Sequence, residues 1–498
     1  MDSAAQQTKS GESPCEKVYD VIVIGAGISG IHAAYQIQRG FPTWDYTVLE
    51  GRKCLGGTWD LFRYPGIRSD SDLYTFGFPW FPWSEKKAFA QGDAIKEYIT
   101  KAAASFGIDE HIQFETKVHK VVWSSDQHRW RVDTISTDGQ SIKSKAVFAR
   151  FLIFGTGYYN YDQPLHATIP GIEQFQGQLI HPQFWPEDVD YCDKRIAVIG
   201  SGATAVTLVP ELAKKARLVT MVQRSPGYII PRRTIDALES VIQFVFIWKL
   251  AQSLLRWKNI FVQLLFYQFC VTFPNAARAW LARETAKNLP PQTRLTPHFK
   301  PKYNPWEQRL CVCPDGDFFA VFREGKADIQ TGNITSMSGK TIRLDSGQEI
   351  SADIIVTATG LKVQFAGGIK IYLDDTLISP HEKFTWNGIM VEDLPNCWFL
   401  IGSTNLSWTL GIDNSMKLAS RVLGRVVAGN FTVVVPKISQ NEIVKQNPLI
   451  TLKSTYLKVA KNELPKAGDR GPWAPRSSYY KDFVNCCIGD FEASLEFS

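Results

Sequence analysis

Two glycine-rich turns stand where a backbone could hold a pyrophosphate. Gly25-Ala-Gly27-Ile-Ser-Gly30 follows the apolar run 19–24 (YDVIVI), and Gly200-Ser-Gly202-Ala-Thr-Ala205 follows 195–199 (RIAVI). In such a turn the first glycine permits a tight bend and the second lets the backbone approach the pyrophosphate. The third small residue lets helix and strand pack closely. The pyrophosphate rests on exposed N–H groups at the positive end of the following helix. A bare glycine pattern is weak evidence, but here each turn has a strand before it and a helical pattern with a further strand after it, at 46–49 and 219–222. The two units end differently. The first ends in Glu50, able to accept the hydrogen bonds of a ribose diol, which together with its N-terminal place suits FAD. The second ends in Gln223-Arg224-Ser225, where no carboxylate repels a 2′-phosphate and a guanidinium can pair with one, so NADPH is expected over NADH. The plainer account of Arg224 is a solvated surface arginine.

Two dinucleotide sites in one chain imply electron flow from nicotinamide to flavin. The electrons then pass to a disulfide or to O2. Nine cysteines stand at 15, 54, 192, 270, 311, 313, 397, 486 and 487, scattered and without a Cys-x-x-Cys pair. Only Cys54 lies near the first turn, so a redox dithiol, a zinc site and a disulfide framework are all disfavoured, and oxygen is favoured as the acceptor. Reduced thiols also point to an intracellular, cytoplasmic protein.

These turns need elements to carry them. The expected fold is α/β, with two Rossmann-like dinucleotide-binding domains and a helical insertion. Residues 18–158 and 331–498 are expected to form the FAD domain, and 159–330 the NADPH domain, with a helical excursion at about 232–295. Gly155-Thr-Gly157 and Thr359-Gly360 end strands where the chain would cross between domains. Beyond the two strand–helix–strand units no internal repeat or low-complexity tract is present. The chain has 498 residues, 44% of them hydrophobic, ample for a large core. Its 55 basic and 49 acidic side chains are interspersed, and with no basic block a nucleic-acid partner is not expected. Residues 1–17 are polar and small and read as a disordered tail, not a signal peptide. Residues 241–273 are rich in large apolar side chains, interrupted by Lys249, Arg256 and Lys258, which is too short a run for a spanning helix. Two readings stand for this segment: amphipathic helices buried against the body, or helices in peripheral contact with a membrane surface.

Three further segments carry a resemblance. They are Gly56-Gly-Thr-Trp59 continuing to Tyr64-Pro65-Gly66 and Asp70, then Phe175-x-Gly177-x-x-x-His181-x-x-x-Trp185-Pro186, and the late 352–360 (ADIIVTATG). Together they resemble the Baeyer–Villiger monooxygenases, a branch of the class B flavoprotein monooxygenases, over about residues 18–480. The resemblance implies a ketone or thioether substrate, O2, and conversion of ketones to esters or lactones through a C4a-peroxyflavin, with sulfoxidation as a side activity. A flavin-containing N- or S-oxygenase is the alternative, against which Trp185-Pro186 and Arg309 argue. By position Arg309 matches the family's catalytic arginine and Asp70 its orienting aspartate. Arginine suits the role because it stays protonated at any working pH. Other accounts of these two are a surface salt bridge for Arg309 and a helix cap for Asp70, in the run Ser69-Asp70-Ser71-Asp72.

FAD contacts are implied at Gly25, Gly27, Ser29, Gly30, Glu50, Thr58, Trp59, Asp60, Leu61 and Val118. Arg68, Ser69 and Asp70 would border the nicotinamide cofactor. NADPH would be held by Gly200, Ser201, Gly202, Ala203, Thr204, Ala205, Val206, Gln223 and Arg224. His181 and Trp185 would couple NADPH binding to closure, or simply pack in a core. The chain departs from the family pattern at Gly411, where a lysine is usual, and in the bulky apolar stretch 230–275, so substrate range does not carry over.

Overall fold

The computed structural model of the chain describes residues 17–138, 144–403, 405–439, 443–476 and 478–498. The expected tail lies outside the described residues, apart from Lys17. Strand β1 (Val18–Ile24) is buried on both faces over its last four residues, which is why it reads as a continuous apolar run. It pairs in parallel with β2 (Tyr46–Leu49) and with β3 (Ser144–Phe154). Helix α1 (Ile28–Gly40) crosses from β1 to β2 and buries Ile31, Ala34, Tyr35 and Ile37. The larger sheet continues beyond β3 through 129–136 and 116–124 to 370–373.

The second sheet is built on β4 (Arg195–Ile199), followed by α2 (Ala203–Leu212) and the parallel β5 (Leu218–Gln223). Residues 327–331 extend it beside β5. On the other side β4 pairs with β6 (Ile354–Thr357), and β6 in turn pairs with 178–180. This moves the expected boundary at 330. A three-stranded meander over 334–351 follows, and only after β6 does the chain leave the second unit. The two crossings are tied together: Tyr159 bridges Val363, the Asn160 N–H donates to the Lys362 carbonyl at 2.8 Å, and the Gln364 N–H donates to that of Tyr158 at 2.9 Å.

The expected helical excursion consists of α3 (Ala237–Val245), α4 (Trp248–Thr272) and α5 (Pro274–Asn288). Among the described residues no single helix is long and apolar enough to cross a membrane, and the α4–α5 pair bends by 116°. Two of the three charges that interrupt the run prove to be anchors. Arg256 Nη1 donates to the carbonyls of Tyr74, Thr75 and Gly77, and Lys258 Nζ to Glu239 Oε1 at 2.6 Å. Of the three, only Lys249 is exposed.

Helix α6 (Trp408–Ala428) packs across α1 and is buried through most of its first three turns. Gly411 is where it passes the 402–403 backbone: a Cβ there would stand 2.3 Å from the Ser403 nitrogen, so no lysine fits. The eight described cysteines are free thiols.

Candidate active site

The two glycine turns open onto one cavity of about 740 Å3. Its walls include Gly27, Ile28 and Ser29 from the first turn and Gly200 through Thr204 from the second. Each turn contains a glycine that is required sterically. A Cβ on Gly30 would fall 1.8 Å from the Gly25 carbonyl oxygen, and one on Gly200, at φ +143°, would fall 2.1 Å from that of Ala358. Helices α1 and α2 begin at Gly27 and Gly202, with no side-chain cap and no acidic residue in the first turn of either. Their positive ends therefore point unneutralised into the same cavity, a setting made for phosphate. The glycine cradle and the uncapped helix ends fit two dinucleotides.

On the first wall, Thr58 and Trp59 line the cavity, and Gly57 stands over Gly27, whose Cβ would lie 3.5 Å from the Gly57 Cα. Asp60 turns away from the cavity. Its buried carboxylate accepts from Arg52 Nε at 3.0 Å, Lys96 Nζ at 2.6 Å and Cys54 Sγ at 3.1 Å. Burial opposes its ionisation, but the hydrogen bonds from Lys96, Arg52 and Cys54 prevail and hold its pKa at about 2. Asp60 thus anchors the 56–61 segment from behind.

Glu50 also lies behind the wall. Its Oε2 accepts the Ala26 N–H at 2.7 Å and its Oε1 the Arg52 N–H at 2.9 Å. Burial raises its pKa against those two hydrogen bonds. Leu61 is half-buried at the end of its short helix. The Val118 side chain is buried in the core with Ile22, Ile24 and Leu49 and does not line the cavity. It stands on a buried position of its strand, so its side chain faces the body.

On the second wall, Ala205 and Val206 are buried on the inner side of α2, while Gln223 and Arg224 line the cavity. The Gln223 amide is committed elsewhere: its Nε2 donates to the His298 carbonyl at 2.7 Å and to Thr331 Oγ1 at 3.0 Å. Arg224 is exposed and donates to Thr455 Oγ1 at 3.0 Å across the cavity mouth.

Between the walls stands the Arg309–Asp70 pair, with Nη2 of Arg309 donating to Oδ1 of Asp70 at 3.0 Å. The Asp70 carboxylate raises the guanidinium pKa further above its ordinary value, against burial, so Arg309 is a fixed cation. Asp72, not Asp70, caps the helix Leu73–Phe76, accepting the Thr75 N–H at 2.9 Å, which leaves Asp70 to Arg309. Ser69 lines the cavity but is buried, its hydroxyl bonded to the Ser71 backbone. Arg68 also lines the cavity, with its guanidinium forked onto the Asp317 carboxylate.

A group that motif reasoning missed surrounds Arg309. The Tyr158 and Tyr159 hydroxyls lie 2.5 Å apart, and a hydrogen bond links Tyr158 to Tyr456. Burial raises the pKa of all three phenols, so they remain neutral proton donors. Trp408 at the start of α6 stacks on Tyr158 with ring centroids 4.7 Å apart. The signal available was the tyrosine run 158–161 (YYNY), placed directly after the Gly155-Thr-Gly157 crossing.

His181 and Trp185 do not line the cavity. His181 Nδ1 accepts the Gln183 N–H at 3.2 Å, burial lowers its pKa, and Trp185 packs on the second core.

The family described as flavin-binding monooxygenase-like matches residues 19–256. The FAD-containing monooxygenase EthA of Mycobacterium tuberculosis is 42% identical over 464 residues, covering 93% of this chain and 94% of that protein. Among solved structures, OTEMO in complex with FAD and NADP superposes with a TM-score of 0.71 at 18% identity, over 96% of this chain and 99% of that one. Cyclohexanone monooxygenase from Rhodococcus sp. Phi1 bound to NADP+ gives 0.70 at 19%, over 97% and 100%. These two structures share the fold.

Proposed function

The chain belongs to the flavin-binding monooxygenase-like family and is an NADPH-dependent flavoprotein monooxygenase; within that class we propose that it performs Baeyer–Villiger oxidation, converting ketones to esters or lactones with one atom of O2. One observation carries the reading: two uncapped helix ends face one cavity, with a fixed cation between them. Bound there, FAD and NADPH supply hydride transfer from nicotinamide to flavin and activation of O2.

Gly27, Ser29, Thr58 and Trp59 would hold FAD, on a segment that Asp60 secures from behind. Glu50 fixes the turn from behind through the Ala26 N–H. Gly200 through Thr204 would hold the NADPH pyrophosphate, and Arg224, steadied by Thr455, the 2′-phosphate. Arg309 stabilises negative charge that develops on a carbonyl oxygen under attack, and preorganised charge in a dry site is a strong source of catalysis. Asp70 keeps the guanidinium aimed and ionised. The three tyrosines and Trp408 crowd water away from it, and the neutral phenols can donate hydrogen bonds there.

Those phenols also favour a second reading. An oxygen donor that accepts hydrogen bonds from neutral phenols is more electrophilic toward soft sulfur, so thioethers are expected to yield sulfoxides as a side activity. Incubation of the purified protein with NADPH, labelled O2, a panel of ketones and one thioether tests both. An ester carrying one labelled oxygen is the expected product. Sulfoxide without any ester would reassign the protein to the heteroatom oxygenases and leave Arg309 without its role.

A further inference from the structure

The anchoring of Arg256 and Lys258 leaves one outer face of α4 and the α3–α4 junction largely apolar. Leu250, Leu254, Trp257, Phe261 and Leu265 are all exposed and fall at helical spacing on one face of α4. At the junction of α3 and α4 five consecutive residues, 244–248, are exposed, with Phe244 at 91% and Ile247 at 78%. Folded proteins rarely leave so continuous an apolar surface to water. Five successive side chains point in all directions around the backbone. A fluid medium covers them together, whereas a folded partner covers one side.

Charge narrows the choice. From Arg232 to Lys287 there are eight basic and three acidic side chains, in a chain whose net charge is only +6. The three acids are engaged within the excursion: Asp236 caps α3, Glu239 binds Lys258, and Glu284 binds Lys287. Arg232, Arg233, Lys249 and Arg283 are exposed. The indoles of Trp248, Trp257 and Trp280 are exposed too, as befits side chains that settle at a lipid headgroup boundary. Apolar insertion beside unbalanced positive charge describes a surface for an anionic bilayer.

The inner side of α4 leads to the active site. Ile260 and Leu264 pack on Leu406 and Leu410, and Tyr267 meets Trp306 edge-on at 5.4 Å. Trp408 and Arg309, a few residues from these contacts in the chain, line the cavity. We propose that the outer face of residues 237–288 docks on an anionic lipid bilayer, and that the enzyme draws lipophilic substrates from it. The substrate half rests on the oxygenase reading above; the docking half does not.

Flotation of the full-length FAD-loaded protein with vesicles tests the docking. Vesicles are made of phosphatidylcholine alone or mixed with phosphatidylglycerol. The protein is expected to float with the mixed vesicles and to be released by salt. The combined variant Phe244→Ser, Ile247→Ser, Phe261→Ser should bind at least about tenfold more weakly, while turning over a water-soluble thioether unchanged. Lys249→Glu with Arg283→Glu should remove the preference for the anionic lipid. Equal flotation of the triple serine variant would overturn the docking. So would wild-type protein that stays unbound and instead forms a dimer which those serines dissociate. If the protein floats and oxidises soluble compounds but not long-chain ketones dissolved in the vesicles, the substrate half fails alone. If it floats and oxidises nothing, the oxygenase reading fails and the docking stands.

Discussion

At the first turn the Glu50 carboxylate grips the Ala26 N–H at 2.7 Å, and Gly57 closes over Gly27, within 3.5 Å of where its Cβ would be. At the second turn Gln223 is drawn back to His298 and Thr331, Arg224 is exposed, and a Cβ on Gly202 would meet nothing within 4 Å. One strand–turn–helix geometry has thus been finished in two ways. The first is closed in from behind and above, as suits a resident cofactor. The second is open, as suits one that binds, gives up its hydride and leaves.

The largest expected break in this comparison is Gly30→Ala, whose methyl group would collide with the Gly25 carbonyl at 1.8 Å. The purified protein should be colourless or insoluble; a yellow, active variant would refute the closed-turn account. Next is Arg309→Ala, which removes the cation between the turns. FAD content and flavin reduction by NADPH should persist, while ester formation falls by about a thousandfold. Arg224→Ala sharpens the second site: KM for NADPH should rise roughly tenfold to a hundredfold with little change for NADH. Equal losses for both nucleotides would show that Arg224 does not read the 2′-phosphate.

Asp60→Asn probes the seal of the first site through pH. The folded pKa of about 2 lies below the ordinary 3.8, so its contribution is fully present above about pH 4 and fades as pH falls through 2. The variant should be less stable by about 2 kcal/mol near neutrality, with the gap closing in that acid window of a denaturation series. Smallest of all, Gly202→Ala should leave folding and FAD content intact and only raise KM for NADPH.

What was legible in the sequence was local. Both turns with their strands and helices were readable because spacing and residue type carry them, and the pairing of Asp70 with Arg309 because the family resemblance implied it. The end of the second unit was not, because β6 joins β4 across more than a hundred residues after an intervening meander, and nothing near residue 354 announces its partner. Tyr158, Tyr159 and Tyr456 come together from segments far apart in the chain. That the Val118 side chain turns into the core was not readable, because a period of two does not say which face of a strand meets a ligand. Arg256 and Lys258 read as breaks in an apolar face, and only the carbonyls of 74–77 and Glu239 reveal that they point inward.

The paired crossings at 158–160 and 362–364 limit how the two units can move. Two separate flexible tethers would let one unit swivel freely against the other. Two segments hydrogen-bonded side by side resist twisting more than two free tethers would. Any movement of one wall of the cavity against the other would then be confined to a bend about this paired crossing.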